Sequence, residues 1–123
     1  LREVTIDVIC PNCANKALFN SAYEGNYVKS PSKNGKVTCK SCGFNAPFIF
    51  SNKYYFYQIP VGNKILYART LEDLIVLRNY FQKNFINAEA RDPELDFPKI
   101  FYIRRKEIVK KINVVLEGKT LHN

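Results

Sequence analysis

The sequence predicts an α+β fold: an N-terminal four-cysteine ribbon of antiparallel strands, then a β-hairpin, then two C-terminal helices. Three observations carry that expectation. The only cysteines form two Cys-x-x-Cys pairs, Cys10/Cys13 and Cys39/Cys42, separated by 25 residues. The segments flanking them alternate apolar and polar side chains with the period of two that suits a half-buried strand. From residue 71 onward the apolar residues recur at intervals of three and four, the spacing of a helix with one buried face.

Val4-Thr5-Ile6-Asp7-Val8-Ile9 alternates and runs into the first cysteine pair, so it reads as a strand. Lys36-Val37-Thr38-Cys39 enters the second pair and Phe44 to Phe50 leaves it, again strand-like, which gives three antiparallel strands. The turn-forming stretches at 20–25 and 30–35 absorb the long spacer. Tyr54 to Ile59 and Lys64 to Ala68 read as a hairpin with a four-residue loop, Pro60-Val61-Gly62-Asn63. Thr70 then caps a helix over about 71–85, with Glu72 and Asp73 in its first turn and Leu71, Leu74, Ile75, Leu77, Phe81 and Phe85 along its apolar stripe.

Residues 87–98 read as an acidic connector, with a short helical start at Asp92-Pro93-Glu94. Asp92, Glu94 and Asp96 lack the glycine and terminal glutamate of a calcium loop and read as a solvated turn. A last helix is expected from Arg104 to Leu116, burying Ile108, Val109, Ile112, Val115 and Leu116, with a frayed tail from Gly118 that holds the single histidine, His122. The expected layout is a ribbon over residues 1–53 and a hairpin with helices over 54–123, packed as one unit because neither part alone buries much.

Composition supports one folded domain. The 123 residues include nine Phe and eight Tyr, enough to bury a core and too many for a disordered chain. The length excludes an enzyme with separate cofactor and substrate lobes. No apolar run approaches the roughly 18 residues of a membrane span, and no signal peptide opens the chain, which predicts no membrane partner and a cytoplasmic location. The sequence begins with Leu1 and contains no Met, as expected of a processed or truncated product with room for an upstream segment.

The cysteines carry the most specific chemistry. Two residues between cysteines let a tight turn aim both sulfurs at one ion, and two such turns close a tetrahedral four-thiolate site. Pro11 presets the first turn and Gly43 follows the second. The expected cofactor is one structural Zn²⁺ on Cys10, Cys13, Cys39 and Cys42, making this a zinc ribbon. The competing uses fit less well. A redox Cys-x-x-Cys opens a helix in a thioredoxin-like unit, disulfides belong to oxidising compartments, and iron–sulfur clusters use other spacings. Lys16 and Lys40 flank the turns and are placed to offset the two negative charges of a zinc tetrathiolate.

The ribbon followed by Leu66-Tyr67-Ala68, Leu71-Glu72-Asp73-Leu74, Leu77, Tyr80, Leu95, Pro98 and a terminal Arg105/Ile108/Val109/Ile112 helix resembles a family of bacterial TFIIB-type zinc-ribbon proteins, loosely grouped with a replication-restart helicase. Tyr67 and Asp73 stand where that family suggests Trp and His. The resemblance implies a bacterial zinc-binding protein. It implies no ATPase, because no phosphate-binding loop is present.

The net charge of +8 is uneven along the chain. Residues 98–123 hold seven basic and two acidic side chains, residues 1–53 seven and three, and residues 54–97 five and six. Nucleic acid is therefore the expected partner, with Arg104, Arg105, Lys106, Lys110 and Lys111 contacting phosphates and Tyr55 and Tyr57 offered as stacking platforms. The plainer readings are a solvated basic helix and packed aromatic rings. A protein-docking adaptor is the alternative function. No catalytic constellation and no small-molecule substrate are expected, because the thiols are committed to metal and His122 lies in a tail.

Overall fold

The computed structural model describes residues 4–21, 33–83 and 97–118. It contains β1 (Val4–Ile9), β2 (Lys16–Ser21), β3 (Asn34–Thr38), β4 (Asn45–Ile49), a 3-10 turn (Asn52–Tyr54), β5 (Tyr57–Val61), β6 (Lys64–Ala68), α1 (Leu71–Phe81), α2 (Lys99–Ile103) and α3 (Arg105–Leu116). The fold is α+β with antiparallel sheets. Two compact units divide it: Leu1–Tyr57 with Tyr67–Thr70, and Gln58–Leu66 with Leu71–Asn123. No helix of the described residues is long and apolar enough to cross a membrane.

The first unit is built on a four-stranded antiparallel sheet in the order β1-β2-β3-β4, where the sequence predicts three strands. The additional strand, β2, is Lys-Ala-Leu-Phe-Asn-Ser, which has no β-branched residue yet alternates in burial: Ala17, Phe19 and Ser21 turn inward. Ile6, Val8, Phe19 and Val37 are fully buried, and Cys10, Ala17, Cys39 and Phe50 complete the same cluster. Gly35 lies against the Asn20 carbonyl and the Phe19 ring, so a methyl group there would meet the backbone oxygen first and stand 2.7 Å from the ring.

Each outer edge of this sheet is handled differently. Along β1, Phe56 donates to the Asp7 carbonyl (3.0 Å), Asp7 donates to the Arg69 carbonyl (2.7 Å), and Val8 bridges to Tyr55. Along β4, the bonds Phe50 N to Lys33 O and Cys39 N to Phe44 O (both 2.8 Å) fix which pairs are hydrogen-bonded. Lys36↔Pro47 is then a non-bonded pair, and the proline nitrogen faces the outer edge.

The aromatic stretch differs from expectation. Tyr54 N donates to Ser51 O and Tyr55 N to Asn52 O, so Asn52–Tyr54 curl into a turn and the strand begins at Tyr57 rather than Tyr54. Serine and asparagine before the aromatic run make that turn the cheaper local conformation. The hairpin loop also contracts from four residues to Gly62-Asn63, because Gly62 adopts φ +62° and supplies the first position of a tight hairpin turn. Pro60 and Val61 thereby belong to β5.

In the second unit, Leu74, Tyr80 and Phe81 of α1 and Ile108 and Ile112 of α3 are buried. Tyr80, Phe81, Phe97, Phe101 and Tyr102 form one aromatic cluster, with ring centroids 5.1–6.5 Å apart, and the Tyr80 and Tyr102 hydroxyls meet at 2.8 Å. The pull of Phe101 and Tyr102 into this cluster explains a third helix where two are expected. Pro98 opens α2, Arg104 (φ −101°, ψ 24°) breaks it, and α3 follows. Helix α1 ends at Phe81, four residues before the expected boundary. The expected roles of Phe85, of the connector and calcium-loop positions 87–96, of Leu95, of the spacer turns within 22–32 and of His122 lie outside the described residues.

Candidate metal centre

The two cysteine turns are local copies of one another. In the first, Cys10 N donates to Asn15 O (2.8 Å) and Ala14 N to Cys10 O (2.9 Å). In the second, Cys39 N donates to Phe44 O (2.8 Å) and Gly43 N to Cys39 O (2.9 Å). Both place a left-handed residue directly after the second cysteine, Ala14 at φ 66° and Gly43 at φ 79°. The first turn joins β1 to β2 and the second joins β3 to β4, and the pairs Ile9↔Lys16, Leu18↔Thr38 and Thr38↔Asn45 put both at the same end of the sheet. The strand order therefore brings together cysteines 26 and 32 positions apart, Cys13 with Cys39 and Cys10 with Cys42.

All four sulfurs lie within 4.8 Å of one another. Cys10 Sγ is 3.7 Å from Cys42 Sγ, and Cys13 Sγ is 3.6 Å from Cys39 Sγ. These separations are far beyond the roughly 2.05 Å of a disulfide, and all four cysteines are free. They match the edge of about 3.8 Å of a tetrahedron whose centre lies 2.3 Å from each sulfur. The cysteine set fits one metal ion. Asn12 N donates to Cys10 Sγ (3.4 Å) and Asn15 Nδ2 to Cys13 Sγ (3.6 Å), so backbone and amide donors already face the sulfurs. Cys10 and Cys39 are buried in the sheet's core, Cys13 is half-buried and Cys42 is exposed.

The thiols titrate unequally. Hydrogen bonds from the Asn12 side chain and then from the Phe44 backbone lower Cys42 to about 6. At Cys13 the hydrogen bond from the Asn15 backbone pulls downward, but burial and the other three sulfurs outweigh it together and raise the thiol to about 11. A dication among the sulfurs favours all four thiolates. With four protein ligands and no open position, the arrangement is suited to holding structure rather than to activating water or substrate. Lys16 and Lys40 are both exposed and line a groove of about 570 Å³ with Asp7 and Thr38 on the outer face of the same sheet.

Fold and site together define a small α+β protein whose four cysteines are gathered as one metal ion's ligands would be. The chain matches no family model, no curated protein and no solved structure.

The residues expected to meet nucleic acid are distributed over several surfaces. Lys106 and Lys110 are exposed one turn apart on α3. Arg104 and Lys111 flank Glu107 at 3.9 and 3.4 Å, and Lys111 Nζ also donates to Pro60 O (2.6 Å). Arg105 is half-buried and donates from Nη1 to Tyr102 O (3.0 Å). Tyr55 stacks on Tyr67 (4.8 Å, 25°) and meets Phe50 edge-on (4.9 Å), while Tyr57 is 5% exposed. The sequence reading passed over Asn12 and Asn15 as sulfur-facing donors. Their signal was present: asparagine within or just after a Cys-x-x-Cys turn supplies an amide where thiolates need donors. It also passed over Lys83, whose ammonium lies 5.5 Å from the centre of the Tyr80 ring.

Proposed function

We propose that the four cysteines bind one structural zinc ion and that the protein so stabilised is a non-catalytic module that binds nucleic acid. The sulfur tetrahedron supports the metal half of this reading, since an all-thiolate tetrahedral set selects zinc among common cellular cations. The cations of α3 support the other half. Lys106 and Lys110 project into solvent, with Arg104 and Arg105 at the start of the same helix, and phosphate contacts from such residues give strong, salt-sensitive and largely sequence-blind binding. The rings of Tyr55 and Tyr57 are left out of the contact surface because one is stacked and the other buried. Membership of the bacterial zinc-ribbon family and a cytoplasmic location belong to the same proposal.

A protein-docking role is the second reading, favoured by three bulky apolar side chains in solvent: Ile49 (71% exposed), Val76 (60%) and Ile103 (65%). One experiment separates the two. The zinc-loaded chain is titrated against single-stranded and duplex oligonucleotides at rising salt, alongside a variant with Arg104, Arg105, Lys106, Lys110 and Lys111 replaced by Glu. The expected result is an affinity that falls steeply with salt and disappears in the variant. Unchanged binding in the variant removes the assigned surface, and no binding by either protein, with a nuclease-resistant protein partner recovered instead, selects docking.

A further inference from the structure

In the second unit a pocket of about 420 Å³ opens between the end of α1 and the beginning of α3, lined by Phe81, Gln82, Lys83, Arg105, Lys106 and Val109. Three of its six residues are cations, and no carboxylate lines it among the described residues. Glu107, the one acid in the first turn of α3, instead lies beside Arg104 and Lys111. Two of the three cations are held in place by the protein itself: Arg105 through Tyr102 O (3.0 Å), and Lys83 over the Tyr80 ring (5.5 Å). Like charges gathered around a concavity raise the energy of the empty site and lower that of an occupied one, provided the occupant is an anion.

The number of cations selects the kind of anion. A phosphate diester carries one charge, whereas a monoester carries about −1.5 to −2 and presents three strong acceptor oxygens. Three cationic side chains lining one pocket, one of them a guanidinium, match the monoester. The volume lies within the roughly 300–1,000 Å³ of small-ligand pockets, so a phosphate does not fill it. Half-buried Val109 offers apolar surface to the remainder of a ligand, with the buried Phe81 behind the wall.

We propose that this pocket receives the phosphate monoester of a nucleotide, either free or as the 5′-phosphorylated end of a strand. The choice of a nucleoside as the body of the ligand rests on the nucleic-acid reading above; the choice of a monoester rests on the pocket alone. Neither Lys83 nor the joining of Arg105 and Lys106 to α1 follows from a basic helix by itself.

The test uses the zinc-loaded full chain. Calorimetry with adenosine 5′-monophosphate, adenosine and inorganic phosphate is paired with anisotropy of a labelled single strand carrying either a 5′-phosphate or a 5′-hydroxyl. The monophosphate is expected to bind and adenosine not to. Lys83→Gln and Arg105→Gln should each weaken the monophosphate about tenfold, the loss of one charge-assisted contact. Lys64→Gln, exposed on β6 and outside the pocket, should leave it unchanged. Arg105→Lys, which keeps charge but loses the fork, should fall between. A 5′-phosphate preference on strands that depends on Lys83 identifies the strand end as the source; monophosphate binding without that preference identifies the free nucleotide. If strands bind with no dependence on Lys83 and the monophosphate does not bind, the pocket is overturned and the broader reading survives. If the monophosphate binds with the expected dependence while no strand does, the broader reading falls and the pocket stands. Equal binding of adenosine and its monophosphate, or capture of a phosphoserine peptide in place of the monophosphate, overturns the proposal.

Discussion

Ala14 occupies in the first cysteine turn the position that Gly43 occupies in the second, and both are left-handed. The methyl group of alanine crowds the following carbonyl in that conformation, at a cost of roughly 1–2 kcal/mol. Around Gly43 nothing lies within 4 Å of where a methyl group would stand, so a substitution there changes backbone energy alone. Opposite and similar effects are therefore expected: Ala14→Gly should raise the stability of the zinc-loaded protein by about 1 kcal/mol and Gly43→Ala should lower it by about as much. Urea midpoints at fixed zinc measure both, and a neutral Ala14→Gly would contradict the account. The gathering of the four cysteines was legible in the sequence, because the Cys-x-x-Cys spacing is dictated by local turn geometry. The donors around them were less so, since Asn12 and Asn15 act through a turn conformation that becomes visible only once the backbone is known.

At the scale of elements, a meander of four strands carries both turns to one end of the sheet, and β2 is the strand that makes this possible. Without it the two cysteine hairpins have no shared edge. Its apolar positions are only Ala17, Leu18 and Phe19, too short a run to outweigh the turn residues after it in a reading by periodicity. The same limit explains the hairpin and the C-terminal helices. The break at Arg104 follows from where Tyr102 finds its partner, Tyr80, and at Asn52–Tyr54 the stacking of Tyr55 on Tyr67 adds to the local turn preference of Ser51 and Asn52. Contacts distant in sequence fixed those boundaries; local pattern fixed the rest, including β1, β3, the start of α1 and the buried positions Ile108 and Ile112. The pairing of β2 with β3 depends on Gly35, whose missing side chain leaves room for Phe19. Gly35→Ala must move a fully buried ring or separate the strands, and an overpacking loss of about 1–3 kcal/mol is expected. The check is a lower denaturation midpoint with zinc stoichiometry retained; an unchanged midpoint would remove Gly35 from its role.

For the whole molecule, the candidate metal centre and the buried core of the sheet are the same object. Cys10 and Cys39 are at once candidate ligands and members of the eight-residue buried cluster of the sheet. On the proposed reading, taking away the ion leaves four thiols, two of their separations 3.6 and 3.7 Å, without the bonds that tie the two turns together. Structural zinc contributes its binding energy directly to folding, so chelation is expected to unfold the sheet cooperatively. Acid should do the same, because protons compete for the thiolates. Hydrogen exchange before and after chelator treatment tests this: amides of β1 to β4 should lose protection, and a sheet that keeps its protection without metal would show that the cluster is not structural.

The outward-facing proline nitrogen of β4 has a consequence for the protein in a crowded solution. A sheet whose last strand is open is a template on which a second copy can crystallise strand upon strand, the first step toward fibrils. Here the hydrogen-bond donors along that margin are interrupted at Pro47, midway between Asn45 and Ile49, so an incoming strand meets a gap at the centre of its register. Among the described residues the first edge is closed by Tyr55, Phe56 and Arg69, and no strand pairs with this one, which is made unsuitable for propagation. A basic protein with a bare isoleucine at its rim thus carries its safeguard against polymerisation in one imino acid.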